Sequence, residues 1–332
     1  MTKKATAVLI QDDPRRVEHG EVDVSTPGPG EVLVRSKVVG ICRSDIELRE
    51  GHLDGQLAIP YPVVPGHEWS GEVTDVGPDV ANVQPGDRVV GECVMAPNHW
   101  FGFSYHGAAS THFIAPANLL HRLPTGLSYE QGAMVEPFTI AYHAVYKSGS
   151  CDGGDIVAIT GAGMIGQCAL AVTRSMGAFT VVIEPSPRRR ELAEKMGADL
   201  VLHPGSDVNA VRRALDEQTG SEGADLVIEA SGSAPGLAST FELARHAGRI
   251  TVIGIVSSQS IQAPLNLIQA KDLRVRGVTG STGVWPRALR FLARHQIDLS
   301  PLVSATYGFP EADVAFGAAE DTDTNVKIHL RP

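Results

Sequence analysis

The sequence predicts an α/β protein of two parts, a small strand-built barrel or sandwich followed by a doubly wound parallel sheet. Three observations lead there. The first 140 residues are β-rich runs divided by Gly and Pro turns. From Asp155 onward the pattern becomes strand, glycine turn and helix, repeated, as a parallel sheet covered by helices requires. The first of these units also places glycines in the order G-x-G-x-x-G between its strand and its helix.

Taken in order, Ala5–Ile10 is one strand's length of apolar chain. "EVLVRSKVVGI" (31–41), "WSGEVTDVG" (69–77) and "GDRVVGECV" (86–94) read as further strands. The texture turns helical near Met134, where "MVEPFTIAYHAVYKSG" spaces its apolar residues for a helix face. "DIVAIT" is a buried strand, and "MIGQCALAVTRSMGA" a helix ended by Gly177. "FTVVIE" and the helix "SPRRRELAEKMGA" follow. "DLVIEASG" and "RITVIGIV" add strands, with "APGLASTFELARHAG" helical between them. "RVRGVTGS" leads to the helix "WPRALRFLARHQ", and the tail ends in the short strand "NVKIHL".

Composition narrows the function. A chain of 332 residues with 43% hydrophobic and 20% charged residues has the profile of a soluble globular protein. The formal net charge of −10 argues against a nucleic-acid surface, which needs clustered Lys and Arg. No apolar run reaches the roughly 18–20 residues that span a bilayer. The N-terminus has no signal-peptide hydrophobic region. Cys42, Cys93, Cys151 and Cys168 are scattered, which argues against a disulfide framework. A cytoplasmic protein without nucleic-acid or membrane partners is expected.

In "VAITGAGMIGQ", Gly161 makes the tight turn, Gly163 lets the backbone approach a pyrophosphate, and Gly166 brings helix and strand together. The helix opens at Met164 and Ile165, and its N–H groups and dipole suit a phosphate. Glu184 closes the second strand 18 residues beyond Gly166. A carboxylate there accepts from ribose hydroxyls and repels a 2′-phosphate, favouring NAD over NADP. Arg188, Arg189 and Arg190 act in the other direction, or else open a solvated helix face.

A polar cluster lies upstream. Cys42 follows an apolar strand in "GICRSDIELREGH", and "VVPGHEWSG" sets His67 beside Glu68. Plainer uses exist: Ser44 and Glu47 fit an S-x-x-E capping box, and a buried Cys is often a small hydrophobe. Yet Cys42, His67, Glu68 and Glu136 are of the N, S and O types that a catalytic zinc uses, which takes three protein ligands and keeps one position open, and a barrel could bring their three segments together.

The blocks "GICRSD", "PGHEWSG" and "VEPFTIAYHA", with "GAGMIG" downstream and "NVKIHL" at the end, resemble the zinc-dependent medium-chain alcohol and polyol dehydrogenases over essentially the whole chain. The resemblance implies a GroES-like β-barrel catalytic domain (1–140 and 290–332) and a Rossmann NAD-binding domain (141–289) in a homodimer or homotetramer. It implies that Cys42 and His67 bind zinc and that Glu68 or Glu136 completes the set; Glu68 either binds the metal directly or sits behind it and exchanges with Glu136 or water as substrate arrives. Asp45 resembles the carboxylate that orients the zinc-bound histidine, Ser44 the hydroxyl that takes the alcohol proton, and Arg43 an arginine on the cofactor pyrophosphate.

The chain departs from the family twice. Glu47 stands where many members have a relay histidine, so the proton is expected to leave through Glu47, through water or from the ribose. "GECVMAPNHWFGFSYHGAAST" holds Cys93 where members often have four cysteines, so one catalytic zinc and no structural zinc are expected. His99 and His106 in that segment are expected at the surface or lining a pocket.

The expected reaction interconverts a secondary alcohol and a ketone with hydride transfer to or from NAD. Gly280 and Ser281 replace the Arg-Tyr pair of sorbitol dehydrogenases. "VVPGHEWSG", "EPSPRRR" and "EASG" look like aminocyclitol dehydrogenases of aminoglycoside antibiotic biosynthesis, such as those acting on 2-deoxy-scyllo-inosamine. A polyol, amino sugar or aminocyclitol is the expected substrate. The alternatives are a non-enzymatic NAD(P)-binding sensor and a zinc-independent reductase on the same fold.

Overall fold

The computed structural model describes residues 2–205, 207–256 and 260–332. The chain opens with β1 (Thr2–Ile10), β2 (Val17–Ser25), β3 (Glu31–Ile41), α1 (Arg43–Glu50), β4 (Glu68–Val76) and β5 (Arg88–Gly91). Next come β6 (Val94–Ala96), β7 (His99–Trp100), β8 (His112–Pro116), β9 (Leu120–Arg122), α2 (Tyr129–Gly132) and α3 (Val135–Lys147). The βα region holds β10 (Ile156–Thr160), α4 (Met164–Ser175), β11 (Phe179–Ile183), α5 (Pro187–Lys195), β12 (Leu200–Leu202) and α6 (Val208–Thr219). It continues with β13 (Ala224–Glu229), α7 (Ala234–Leu243), β14 (Ala244–Val252), α8 (Asn266–Ala270) and β15 (Arg274–Gly277). The chain ends with α9 (Trp285–Arg294), β16 (Val303–Gly308), α10 (Ala312–Glu320) and β17 (Lys327–Arg331). Two compact units result: Met1–Glu136 with Thr282–Pro332, and Pro137–Ser281. Among the described residues no helix is long and apolar enough to cross a membrane.

In the first unit β3 is the hub, pairing antiparallel with β17, β4 and β8. Its alternation buries Val32, Val34, Ser36 and Val38, and Val39, Gly40 and Ile41 are buried as well. The ladders carry the consequence. Gly40 stands opposite Glu68 on β4 and opposite His329 on β17, and Ile41 opposite Ile328. Antiparallel register therefore brings the residue after β3, the residue before β4 and the first residue of β17 to one place: Cys42, His67 and Lys327.

The second unit is a six-stranded sheet in the order β12-β11-β10-β13-β14-β15, with all five pairings parallel. This is the doubly wound order, whose direction reverses between β10 and β13, where ligands of such sheets bind. The glycine turn sits at that point. A Cβ on Gly166 would lie 2.0 Å from the Gly161 carbonyl oxygen, so only glycine lets α4 approach the strand this closely.

The expected helix over "APGLASTFELARHAG" ends earlier, at Leu243, and β14 begins at Ala244. The physical reason is Lys271. Its Nζ donates to the carbonyls of Phe241 (2.9 Å), Glu242 (3.0 Å) and Ala244 (3.0 Å), capping the helix end with a cation where the dipole favours one. The run "GDRVVGECV" likewise breaks into β5 and β6.

One buried group gives the fold a pH dependence. His329 is fully buried, and neither ring nitrogen has a hydrogen-bond partner. Burial pushes its pKa down to about 3, with Lys327 and Arg331 adding to the shift and Glu130 opposing it. The unfolded value is near 6.5. Above that pH both states are neutral at this position. As pH falls from about 6.5 toward 3 the unfolded chain takes a proton that the native state refuses, and stability drops by on the order of 1 kcal/mol per pH unit. In urea titrations at pH 7 and pH 4.5, His329→Leu is expected to lose less stability between the two than the unaltered protein. An equal loss in both overturns the assignment.

Candidate active site

α1 begins at Arg43 with Cys42 as its N-cap, because Asp45 reaches back and accepts the Cys42 N–H through Oδ2 at 2.8 Å. The Ser44–Glu47 box expected from the sequence is therefore not the one used. Ser44 lies inside the first turn, half-buried, and Glu47 pairs with Arg43 at 3.6 Å. Arg43 is 60% exposed and also reaches Glu50 at 3.8 Å, a solvated network of low energy.

Donor atoms of Cys42, His67 and Glu68 lie within 4.8 Å of one another, at the junction the β3, β4 and β17 ladders create. His67 and Glu68 reach one site because only Glu68 belongs to β4, while His67 precedes the strand and escapes its alternation. Asp45 places Oδ1 3.5 Å from His67 Nδ1, which turns Nε2 away from the carboxylate. Burial works against a charged His67, but Asp45 and Cys42 outweigh it and hold its pKa well above the ordinary range.

Glu136 sits in the first turn of α3, outside that trio but within its field. Burial pushes its carboxyl up to about 7; Glu68 and Asp45 add to the shift, and His67 and Lys327 oppose it. Burial also pushes the Cys93 thiol up to about 12, keeping it protonated at neutral pH.

Sequence reasoning missed Lys327. Its ammonium is buried, donates to the Ile41 carbonyl at 2.9 Å and to Glu68 Oε2 at 2.5 Å, and so ties the strand end before Cys42 to the residue after His67. Glu68, Cys42 and Asp45 outweigh the burial cost and raise its pKa. The approach requires glycine at position 40, where a Cβ would fall 2.5 Å from Glu68 Oε2. The sequence carried little signal for it, since β17 reads KIHLR and alternates polar with apolar residues, a pattern that leaves the lysine on a solvent face, whereas a lysine is buried only when paired.

The donor set fits a divalent cation. A thiol and the carboxylates of Glu68, Glu136 and Asp45 face one imidazole and one ammonium, and His67 Nδ1 and Asp45 Oδ1 are buried without hydrogen-bond partners. Thiolate, imidazole and carboxylate are the ligand types zinc prefers.

In the second unit Gly161 has φ +90° and Gly163 is the N-cap of α4, opening onto the helix through Met164, Ile165 and Gly166. A Cβ on Gly163 would meet nothing nearer than Arg189 Nη1 at 3.7 Å, so there is open space at the start of α4, where a helix N-terminus suits a phosphate. Glu184 accepts from Ala162 N–H at 2.7 Å through Oε2 and from Ser186 N–H at 2.8 Å through Oε1, which fixes it beside the loop. The arginines do not form one solvated face. Arg188 is exposed, Arg190 donates to the carbonyls of Glu184 and Pro185, and Arg189 turns toward Gly163.

Comparison with known proteins agrees with this geometry. Residues 28–125 match the alcohol dehydrogenase GroES-like domain, and residues 165–294 the zinc-binding dehydrogenase domain. The chain is 32% identical over 336 residues to the L-threonine 3-dehydrogenase of Pyrococcus horikoshii, covering 95% of each chain. It is 30% identical to the sorbitol dehydrogenase of Halalkalibacterium halodurans, covering 92% and 93%. Among solved structures, the 2R,3R-butanediol dehydrogenase of Bacillus subtilis superimposes with a TM-score of 0.87 at 29% identity, over 99% of both chains. The fold, the donor trio and relatives spanning the whole chain lead to one assignment: this protein is a member of the zinc-dependent medium-chain alcohol and polyol dehydrogenases, an oxidoreductase with a GroES-like and a Rossmann-type unit.

Proposed function

We propose that the protein interconverts a secondary alcohol and a ketone using NAD and one catalytic zinc, on a polyol, amino sugar or aminocyclitol. The observation that carries the reading is the trio of Cys42, His67 and Glu68 donors within 4.8 Å. Cys42 and His67 would hold the metal, Glu68 would be the third donor through the oxygen Lys327 leaves free, and Glu136 is the reserve. Bound zinc supplies Lewis-acid polarisation of the substrate oxygen, and bound nicotinamide accepts or returns the hydride.

The remaining steps belong to the chain. Asp45 faces His67 Nδ1 at 3.5 Å and orients the ring. The Ser44 hydroxyl, two residues from Cys42 in the first turn of α1, takes the alcohol proton at Oγ and passes it outward. Glu47, three residues further along α1, receives it through water at the protein surface, with Arg43 steadying the carboxylate.

Cofactor choice rests on Glu184. Its two backbone hydrogen bonds fix a carboxylate beside the glycine loop, where it accepts from ribose hydroxyls and repels a 2′-phosphate. Arg189, turned toward Gly163, serves the cofactor's ribose and phosphate groups. The relatives' names join threonine, sorbitol and butanediol, each of which carries a secondary hydroxyl beside a second polar substituent; that supports a polyol or amino alcohol here. β15, exposed along its length at the sheet edge, supports pairing with a second copy.

The test combines zinc analysis with nicotinamide absorbance on a panel of polyols, amino sugars and aminocyclitols. One zinc per chain and NAD-dependent turnover on at least one compound are expected. Full activity in metal-free protein, or turnover with NADP alone, overturns the reading in its metal or cofactor part.

A further inference from the structure

We infer that the segment from His99 to Ala109 positions the imidazole of His67, with Phe103 and His106 as its working residues; this rests on the reading of His67 as a metal donor. Residues 64–66, just before His67, belong to no strand, so no ladder fixes them. The 106–109 backbone does so instead. Gly107 N–H donates to the Val64 carbonyl at 2.7 Å, Ala108 N–H to Gly66 at 2.9 Å and Ala109 N–H to Pro65 at 3.0 Å. In return Val64 N–H donates to His106 Nδ1 at 3.1 Å. Proline has no N–H, so these bonds use nearly every polar backbone group of the approach to His67.

Asp45 gives the ring a direction by its charge, and packing fixes the ring plane. The Asp45 contact at 3.5 Å is longer than a hydrogen bond, and His67 Nδ1 has no hydrogen-bond partner. Phe103, 1% exposed, places its ring 5.0 Å from the imidazole at 40°, and Trp100 backs Phe103 edge-on at 5.9 Å. Phe101 from the same segment packs on Trp69, two residues beyond His67, at 6.1 Å. The segment thus grips the chain on both sides of the donor. A metal-binding imidazole needs its plane set by its surroundings, and outer partners that do this are worth about 10–100-fold in metal affinity.

The experiment follows zinc loss to a chelator from the full-length, zinc-loaded protein, and the ligand-field spectrum of the cobalt(II)-substituted form. Phe103→Leu is compared with Phe316→Leu, a buried phenylalanine of the same core on α10. Phe103→Leu is expected to release zinc about 10-fold faster and to shift the cobalt spectrum. Phe316→Leu should leave both unchanged, even where it lowers thermal stability as much. A second pair avoids the core: His106→Leu should speed zinc loss severalfold, and His106→Asn, which keeps an acceptor for Val64 N–H, should restore the slow rate. If Phe103→Leu fails to fold, the His106 pair decides alone. Equal zinc loss from Phe103→Leu and Phe316→Leu, or from the two His106 variants, overturns the positioning role. Absence of zinc from the unaltered protein overturns the reading of the site itself.

Discussion

Cys42→Ala is expected to empty the metal site and to lower turnover by at least about 10³-fold, while leaving the chain folded. The magnitude follows from a Lewis acid contributing several kcal/mol to the transition state, where about 4 kcal/mol corresponds to three orders of magnitude. The fold should survive because the N-cap of α1 does not depend on the thiol. The bond that closes the cap runs from the Cys42 backbone N–H to Asp45, and alanine keeps that N–H. The loss should appear in kcat, since the polarised oxygen is stabilised chiefly as the transition state forms. Zinc content, circular dichroism and steady-state kinetics on one preparation separate the possibilities. A Cys42→Ala protein that keeps stoichiometric zinc and full turnover removes Cys42 from the site.

What the sequence made legible was local. The glycine turn announces itself because three glycines at fixed spacing follow a strand and precede a helix, and Glu184 stands where the second strand must end. Cys42 and His67 stand out as donor types in polar blocks at strand ends. The helix break at Leu243 was not legible, because its cause is a lysine 28 residues later, Lys271, whose ammonium reaches back to the helix carbonyls. The choice between two overlapping capping boxes was equally hidden. Ser44-x-x-Glu47 fits the S-x-x-E pattern and Cys42-x-x-Asp45 does not, yet the second is used, because β3 ends at Ile41 and so fixes where the helix starts. Phe103 reads as an ordinary core aromatic until the fold sets it against His67.

Lys327→Met is expected to be the most destabilising single change in the catalytic unit. Glu68 and Lys327 lie 259 positions apart, are both almost wholly buried, and meet at 2.5 Å. Removing one member of a buried ion pair strands the other charge in a poor dielectric, at a cost of about 3–5 kcal/mol. The Ile41 carbonyl loses its donor at the same time, which loosens the strand end before Cys42. Metal should moderate the damage, because a cation beside Glu68 substitutes in part for the ammonium. The deficit is therefore expected to be larger in metal-stripped protein than in loaded protein, and urea unfolding of both forms measures it. A double-mutant cycle isolates the cause. Lys327→Met combined with Glu68→Gln should recover most of the metal-free stability, since no charge remains to be paired, yet should still release zinc faster than the unaltered chain if Glu68 is a donor. A Lys327→Met protein as stable as its parent, or a double variant no better than the single one, would mean that the ion pair contributes nothing and that the two strands are joined by packing alone. Recovery of stability together with retention of zinc would leave Lys327 as the partner of a structural carboxylate and move the third metal ligand to Glu136.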